Sequence, residues 1–368
     1  MDSIDILKRA FRRYYFDKFD TKLDRIKERE FGYATFDNRV IRHISFNDKN
    51  ELRALLVREI PADVYASNAY YTNPEAEIEL KNWLAADLIF DIDIKDLALP
   101  CMKDHQFSIC INCKDISNEK ICLKCRSNTK EVNIPCNNCI EEGKHQVFKI
   151  LEMLNELGAN KISVYFSGNN GFHIHVNDEE LSYLNSEARR DIADYIKGIG
   201  IIPDIFGMGR KKNIDHIKDA LNSEKGWKGR IARELLSRMD RNRLISSLRK
   251  KSYENFNNEL RDITKRLGVT IDTVVTIDTH RIFRLENTLS SKSGLAKIKI
   301  DDVSQFNPYE DAVFIDDEPT KVHIHYAPKL LIKGNSFGPY KDEIVSLPLY
   351  AAVYLICKGL ASEPKVLN

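Results

Sequence analysis

Long apolar runs are missing from this 368-residue chain. None approaches the roughly 18–20 residues of a membrane-crossing helix. The opening Met1-Asp2-Ser3-Ile4-Asp5 has no feature of a secretory leader, so the expectation is a cytoplasmic protein with no membrane partner. No internal repeat or low-complexity segment appears, which sets aside solenoids and long disordered tracts. Cysteine is nearly absent outside one stretch: of eight, only Cys357 lies beyond residues 101–139. Such clustering argues for metal and against a disulfide framework. Net charge is also scarce, at +1, yet between Arg210 and Arg266 there are 17 Lys/Arg against 8 Asp/Glu. A basic segment inside an otherwise slightly acidic chain suits a polyanionic partner, and it equally suits a helical surface with solvated charges. The length allows one large domain or two smaller ones.

What is present is organised around Ala86-Asp87-Leu88-Ile89-Phe90-Asp91-Ile92-Asp93, which reads as a buried strand ending in two acids. Alternation puts Asp91 and Asp93 on one face, their Cα atoms about 6–7 Å apart. Two such carboxylates repel unless a cation lies between them, and the spacing fits two divalent ions about 3.5–4 Å apart. Taken alone, the pattern also fits a polar strand end turning to solvent.

The cysteine stretch reads Cys101-x3-His105, Cys110-x2-Cys113, Cys122-x2-Cys125 and Cys136-x2-Cys139. Cys-x-x-Cys folds two thiolates onto one tetrahedral ion, so these residues are zinc candidates. Cys110, Cys113, Cys122 and Cys125 can close one site; Cys101, His105, Cys136 and Cys139 can close another. Pairing Cys101 and His105 with Cys110 and Cys113 is an alternative that the spacing leaves open. One or two structural zinc ions follow.

Along the chain, 29–36 and 40–46 read as a hairpin and 51–58 as a short helix. A further strand is expected at 64–67 and a helix-like stretch from Asn73 through Trp83. Ile140–Leu157 is an amphipathic helix stopped by Gly158. Strands 161–166 and 172–176 flank Ser167-Gly168-Asn169-Asn170-Gly171, whose backbone N–H groups can cradle a phosphate. His173 and His175 share a strand face just beyond that turn. Residues 181–268 are helical, and 273–278 reads as a strand delivering Asp278, followed by Arg281, Arg284 and Lys292. An acid to complete a metal pair, then basic groups for phosphates, is the grouping that nucleotidyl transfer needs. An apolar helix at 347–360 ends the pattern.

The ordered set resembles the small catalytic subunit of the archaeal/eukaryotic-type DNA primase, archaeal branch. It comprises Arg29-Glu30-Phe31, Arg42-His43, Asp91-x-Asp93, the cysteine module, Ser167-Gly168-x-x-Gly171-x-His173, Asp278 with Arg284, and Leu289-x-x-Lys292-x-Gly294. The resemblance implies an α/β (α+β) prim fold with mixed sheets, a zinc-binding insertion at 101–139 and a basic helical subdomain at 181–268. Segments 1–100, 140–180 and 269–368 would form the catalytic core. It implies de novo synthesis of short primers on single-stranded DNA from NTPs or dNTPs, using Mg2+ or Mn2+. Asp91, Asp93 and Asp278 would hold the ions. Ser167, Gly168, His173, Arg284 and Lys292 would contact the nucleotide, with Glu30 and Arg42 near it. The implied partners are a large primase subunit carrying an iron–sulfur cluster and the replication machinery, in a nucleoid-associated setting. Two departures stand out: Asn170 replaces an arginine common in the family, and Ser290-Ser291 replaces His-Gly. A repair or damage-bypass polymerase of the same fold, or a catalytically weak nucleic-acid-binding subunit, remain as alternatives.

Overall fold

The structure is a computed structural model and describes residues 3–117, 119–209 and 211–364. Two four-stranded sheets form its centre. The first runs in the order Ile282–Arg284, Asp63–Ser67, Phe31–Ala34, Val40–Ile44. The second runs Ile298–Ile300, Ile162–Phe166, Gly171–Val176, Leu88–Asp93. Every pairing within both is antiparallel, as tight turns such as Ser167–Gly171 permit. Between the sheets lies a cavity of about 770 Å3, lined by Ala66, Ser67 and Phe283 from one and Ile89, Tyr165 and His175 from the other.

Leu88, Phe90 and Ile92 point away from this cleft and are fully buried. Each contributes roughly 1.5–3 kcal/mol by leaving water. The helix Asn137–Glu156 covers that face with Ile140, Val147, Ile150 and Leu154, the spacing of an amphipathic helix. Gly143 lets it approach closely, because a Cβ there would lie 2.8 Å from the Phe172 ring. A third sheet (Tyr340–Pro348, Pro319–Ala327, Ala361–Ser362) packs on the helix Leu349–Lys358, all ten residues of which are buried. No helix among the described residues is long and apolar enough to cross a membrane.

Residues 181–268 are helical as expected, including Ser186–Lys197, Ile214–Leu221, Gly226–Leu236, Arg241–Lys250 and Tyr253–Leu267. Asn185, Asn213, Asp240 and Ser252 cap helices by accepting backbone N–H groups of the first turn. Part of the basic excess is neutralised locally. Glu234 accepts from Arg238 and Arg266, and Arg230 pairs with Glu152 and Glu156.

Two local expectations fail. The stretch from Asn73 is not helical beyond one 3-10 turn at Ile78–Leu80; it leads into the strand Trp83–Ala86, paired with Ala69–Tyr71. Lys81 explains the irregular path: it is 1% exposed and reaches Glu30 at 3.2 Å, which a surface helix could not allow. Thr273–Ile277 is a helical turn and not a strand. Its β-branched composition favours extension, but Asp272 caps it through the Val274 N–H, and it packs between the Leu88–Asp93 strand and the Ser186–Lys197 helix.

Candidate active site and metal centres

Asp91 and Asp93 share one side of the Leu88–Asp93 strand with Ile89, which lines the cleft and packs on Val275 and Phe283. The neighbouring strand sets what stands opposite: Asp93 pairs with Gly171 and Asp91 with His173. Only glycine fits at 171, since a Cβ would sit 2.5 Å from the Ile92 carbonyl oxygen. The Ser167–Gly171 turn is thereby fixed beside the acids.

Burial pushes the Asp91 carboxyl up to about 7, reinforced by Asp93 and Asp272 and opposed by Arg281 and Lys95. Asp93 is held by Lys95, through Nζ at 2.9 Å and the backbone N–H at 3.1 Å. The third acid at the pair is therefore Asp272, which the sequence reading passed over. Its N–H donates to the Asp91 carbonyl at 3.1 Å. The Asp278 carboxylate accepts the His280 N–H and bears on Tyr71. The signal for Asp272 lies in its position as a helix N-cap, which a strand reading of 273–278 hides.

His173 is buried, and its Nε2 lies 3.5 Å from Asp91 Oδ1. Burial, then Lys297, Arg284 and Arg281, hold its pKa well below the usual histidine range, so the ring is neutral. Its Nδ1 is buried without a hydrogen-bond partner. Lys297, 2% exposed, lies 3.5 Å from His175 Nε2 and over the Tyr165 ring. Burial pushes Lys297 down to about 7, against the opposing pull of Glu286.

In the turn, Ser167 N–H donates to the Gly171 carbonyl and its hydroxyl accepts the Asn169 N–H. Gly168 has φ +85°, a conformation that favours glycine. Ser293 Oγ donates to the Gly168 carbonyl, tying the turn to the loop that carries exposed Lys292. Arg284 sits differently from expectation. It is largely buried, paired with Asp63, and donates to the Leu289 carbonyl. Ser291 also donates to Asp63, through its hydroxyl at 2.6 Å and its N–H at 3.0 Å. Both arginines act on His173, and Arg281 also acts on Asp91.

Glu30, 1% exposed, accepts both arms of Arg42 (2.9 and 3.2 Å) and the His43 N–H. Burial raises its pKa, but Arg42 and Lys81 outweigh that and the net direction is down. Lys81 is a partner that sequence reading did not single out.

The cysteines divide cleanly. Cys110, Cys113, Cys122 and Cys125 form one set, and Cys101, His105, Cys136 and Cys139 the other, each with all ligand atoms within 4.8 Å of one another. Cys110 and Cys125 sulfurs are 3.3 Å apart; Cys139 Sγ and His105 Nε2 are also 3.3 Å apart. The alternative pairing of Cys101 and His105 with Cys110 and Cys113 is overturned. Short strands Gln106–Cys110 and Thr129–Asn133 bring the Cys-x-x-Cys loops together. Both sets are four-ligand, thiolate-rich and closed, a donor chemistry that can hold metal and suits zinc. Among the described residues these are the only sets that draw three or more ligand atoms so close. The carboxylates, by contrast, stand apart and repel.

The family model for the DNA primase small subunit matches residues 90–302. The chain is 44% identical to the DNA primase small subunit PriS of Nitrosopumilus maritimus, covering 98% of both chains. It is 40% identical to that of Cenarchaeum symbiosum, over 97% of this chain and 98% of the relative. With the protein of the same name from Archaeoglobus fulgidus it shares 31% identity over 97% of each chain. Matched along nearly its whole length, the chain belongs to the DNA primase small subunit family.

Proposed function

We propose that the chain is the catalytic subunit of a primase, a DNA-templated nucleotidyltransferase that starts short primers de novo on single-stranded DNA for replication. The observation that carries this reading is the strand pairing that sets Asp91 and Asp93 beside the Ser167–Gly171 turn, with the Asp272 backbone bonded to Asp91. Divalent ions such as Mg2+ or Mn2+, when bound, supply charge neutralisation for the triphosphate and a lowered pKa for the attacking 3′-hydroxyl. Asp91, Asp93 and Asp272 are the residues that would hold them; Asp272 takes the third place in preference to Asp278 because its charge acts on Asp91 and its N–H bonds the Asp91 carbonyl.

The other residues take distinct parts. Neutral His173 offers a ring N–H to a phosphate without attracting the acids into a salt bridge. Ser167 and the backbone N–H groups from Gly168 onward donate to phosphate oxygens. Lys292 and Arg281 add positive charge at the same place. Arg284 works at one remove, bracing the Lys292 loop through Asp63 and Leu289. Arg42, anchored by Glu30 yet 39% exposed, is free to meet the nucleotide from the other sheet. Two structural zinc ions hold the 101–139 insertion. The helical 181–268 segment adds electrostatic attraction for the template. In this reading a large subunit completes a heterodimer, as the de novo reaction must hold two nucleotides at once.

The test is synthesis on unprimed single-stranded DNA with NTPs or dNTPs and Mg2+ or Mn2+, with and without the large subunit. Labelled products of two nucleotides and longer are expected. Extension of a supplied primer with no product on unprimed template would move the assignment to a repair polymerase. Template binding without any incorporation would make the chain a non-catalytic subunit.

A further inference from the structure

Three lysines from three separate segments meet beside the phosphate-cradle turn, and none belongs to an ion pair among the described residues. Lys130 lies on the Thr129–Asn133 strand of the cysteine insertion, Lys292 on the loop after Arg284, and Lys358 at the end of the C-terminal helix. Lys358 is 6% exposed, and its Nζ donates to the Asn169 side chain at 3.1 Å and the Asn133 carbonyl at 3.0 Å. Asn169 belongs to the turn itself, and Asn133 to the same strand as Lys130. Lys130 Nζ lies 3.7 Å from where a side chain at Gly359 would begin.

Like charges collected without a counter-ion cost free energy, so the fold has reason to keep them only if an anion joins them. The electrostatics agree. Partial desolvation lowers the Lys130 ammonium, with Lys114 and Lys292 adding to the effect. Burial likewise pushes Lys358 down to about 8, with Lys130 and Lys292 contributing. Cys357, whose charge would oppose both shifts, is a thiol that burial pushes up to about 12, so it carries no charge near neutrality. Polar atoms around the cluster are also unfilled: Asn133 Oδ1 and Nδ2 and Asn170 Oδ1 are buried with no hydrogen-bond partner.

We propose that Lys130 and Lys358 extend the Ser167–Gly171 turn and Lys292 into a clamp for the terminal phosphate of the nucleoside triphosphate, so that the cysteine insertion contributes a side chain to substrate binding. This rests on the primase reading above. It also assigns a local replacement for the charge missing at Asn170 and Ser290-Ser291. Lys130, whose side chain still reaches solvent and which lies three positions from Asn133 on its strand, is the tractable member.

The experiment compares wild type, Lys130→Ala and Lys130→Arg, each checked for unchanged zinc content and circular dichroism. Binding of fluorescent nucleoside tri-, di- and monophosphates is measured without template, and KM and kcat are measured on a primed template. Lys130→Ala should weaken triphosphate binding and raise KM about tenfold, the scale of one lost charged contact. Its kcat should change far less, the monophosphate should bind as in wild type, and Lys130→Arg should restore most of the affinity. Equal loss for all three nucleotides, or no loss with a wild type that binds and incorporates, would overturn the clamp while leaving the primase reading intact. A wild type that neither binds nor incorporates nucleotides would overturn both.

Discussion

Asp91 is the residue at which the site's electrostatics can be read without any substrate. Its carboxyl is raised from 3.8 to about 7, by burial first and by Asp93 and Asp272 second. A raised carboxyl binds its proton more tightly in the folded chain than in the unfolded one. The penalty is absent below about pH 4, grows as pH rises to about 7, and is full above that. In divalent-free buffer at pH 8, Asp91→Asn should therefore melt about 3–5 °C above wild type, a gap that closes on acidification to pH 4. Adding Mg2+ at pH 8 should raise the wild-type Tm and leave the variant unmoved. A gap that does not depend on pH would remove the electrostatic account of this acid. Much at this scale was legible: the Asp91-x-Asp93 face, His173, and the glycine needed at 171 all stand where alternation and turn chemistry put them. The identity of the third acid was not, because it depends on how a chain segment 180 residues later docks against the strand.

At the scale of elements, the contrast between two misreadings and the rest is instructive. The hairpin at 31–44, the strands on either side of Ser167–Gly171 and the helix 137–156 follow local patterns that tertiary packing reinforces. Thr273–Ile277 is the reverse case: a run of β-branched residues held helical by the Asp272 cap and by packing on both sides. Similarly, Asn73–Trp83 reads as a helix only until buried Lys81 finds Glu30 across the fold. The cysteine insertion was legible in composition but not in pairing, since spacing alone permits both partitions. The observed partition makes the two metal sets independent. Cys122→Ser should lower bound zinc from two ions per chain to one by elemental analysis, with helical circular dichroism retained. Loss of both ions together would mean that the sets are not separable.

The whole molecule joins these parts by position in sequence as much as by contact. In the proposed site the acids come from before the insertion and from beyond the helical segment, the phosphate donors from between them, and one clamp lysine from the insertion itself. That dispersal is why single motifs carried little and their order carried much. The basic excess of 210–266 is partly spent on internal pairs such as Glu234 with Arg238 and Arg266, so template attraction rests on fewer charges than composition suggests. The central claim is that Asp91, Asp93 and Asp272 together hold the ions for nucleotide addition. It is tested most directly by nucleotide incorporation on a primed template in Mg2+ or Mn2+, comparing wild type with Asp91→Asn, Asp272→Asn and Asp278→Asn. The first two variants should lose roughly a thousandfold in rate while keeping fold and zinc, and Asp278→Asn should retain most activity. Full incorporation by Asp91→Asn, or loss in Asp278→Asn with Asp272→Asn active, would contradict it.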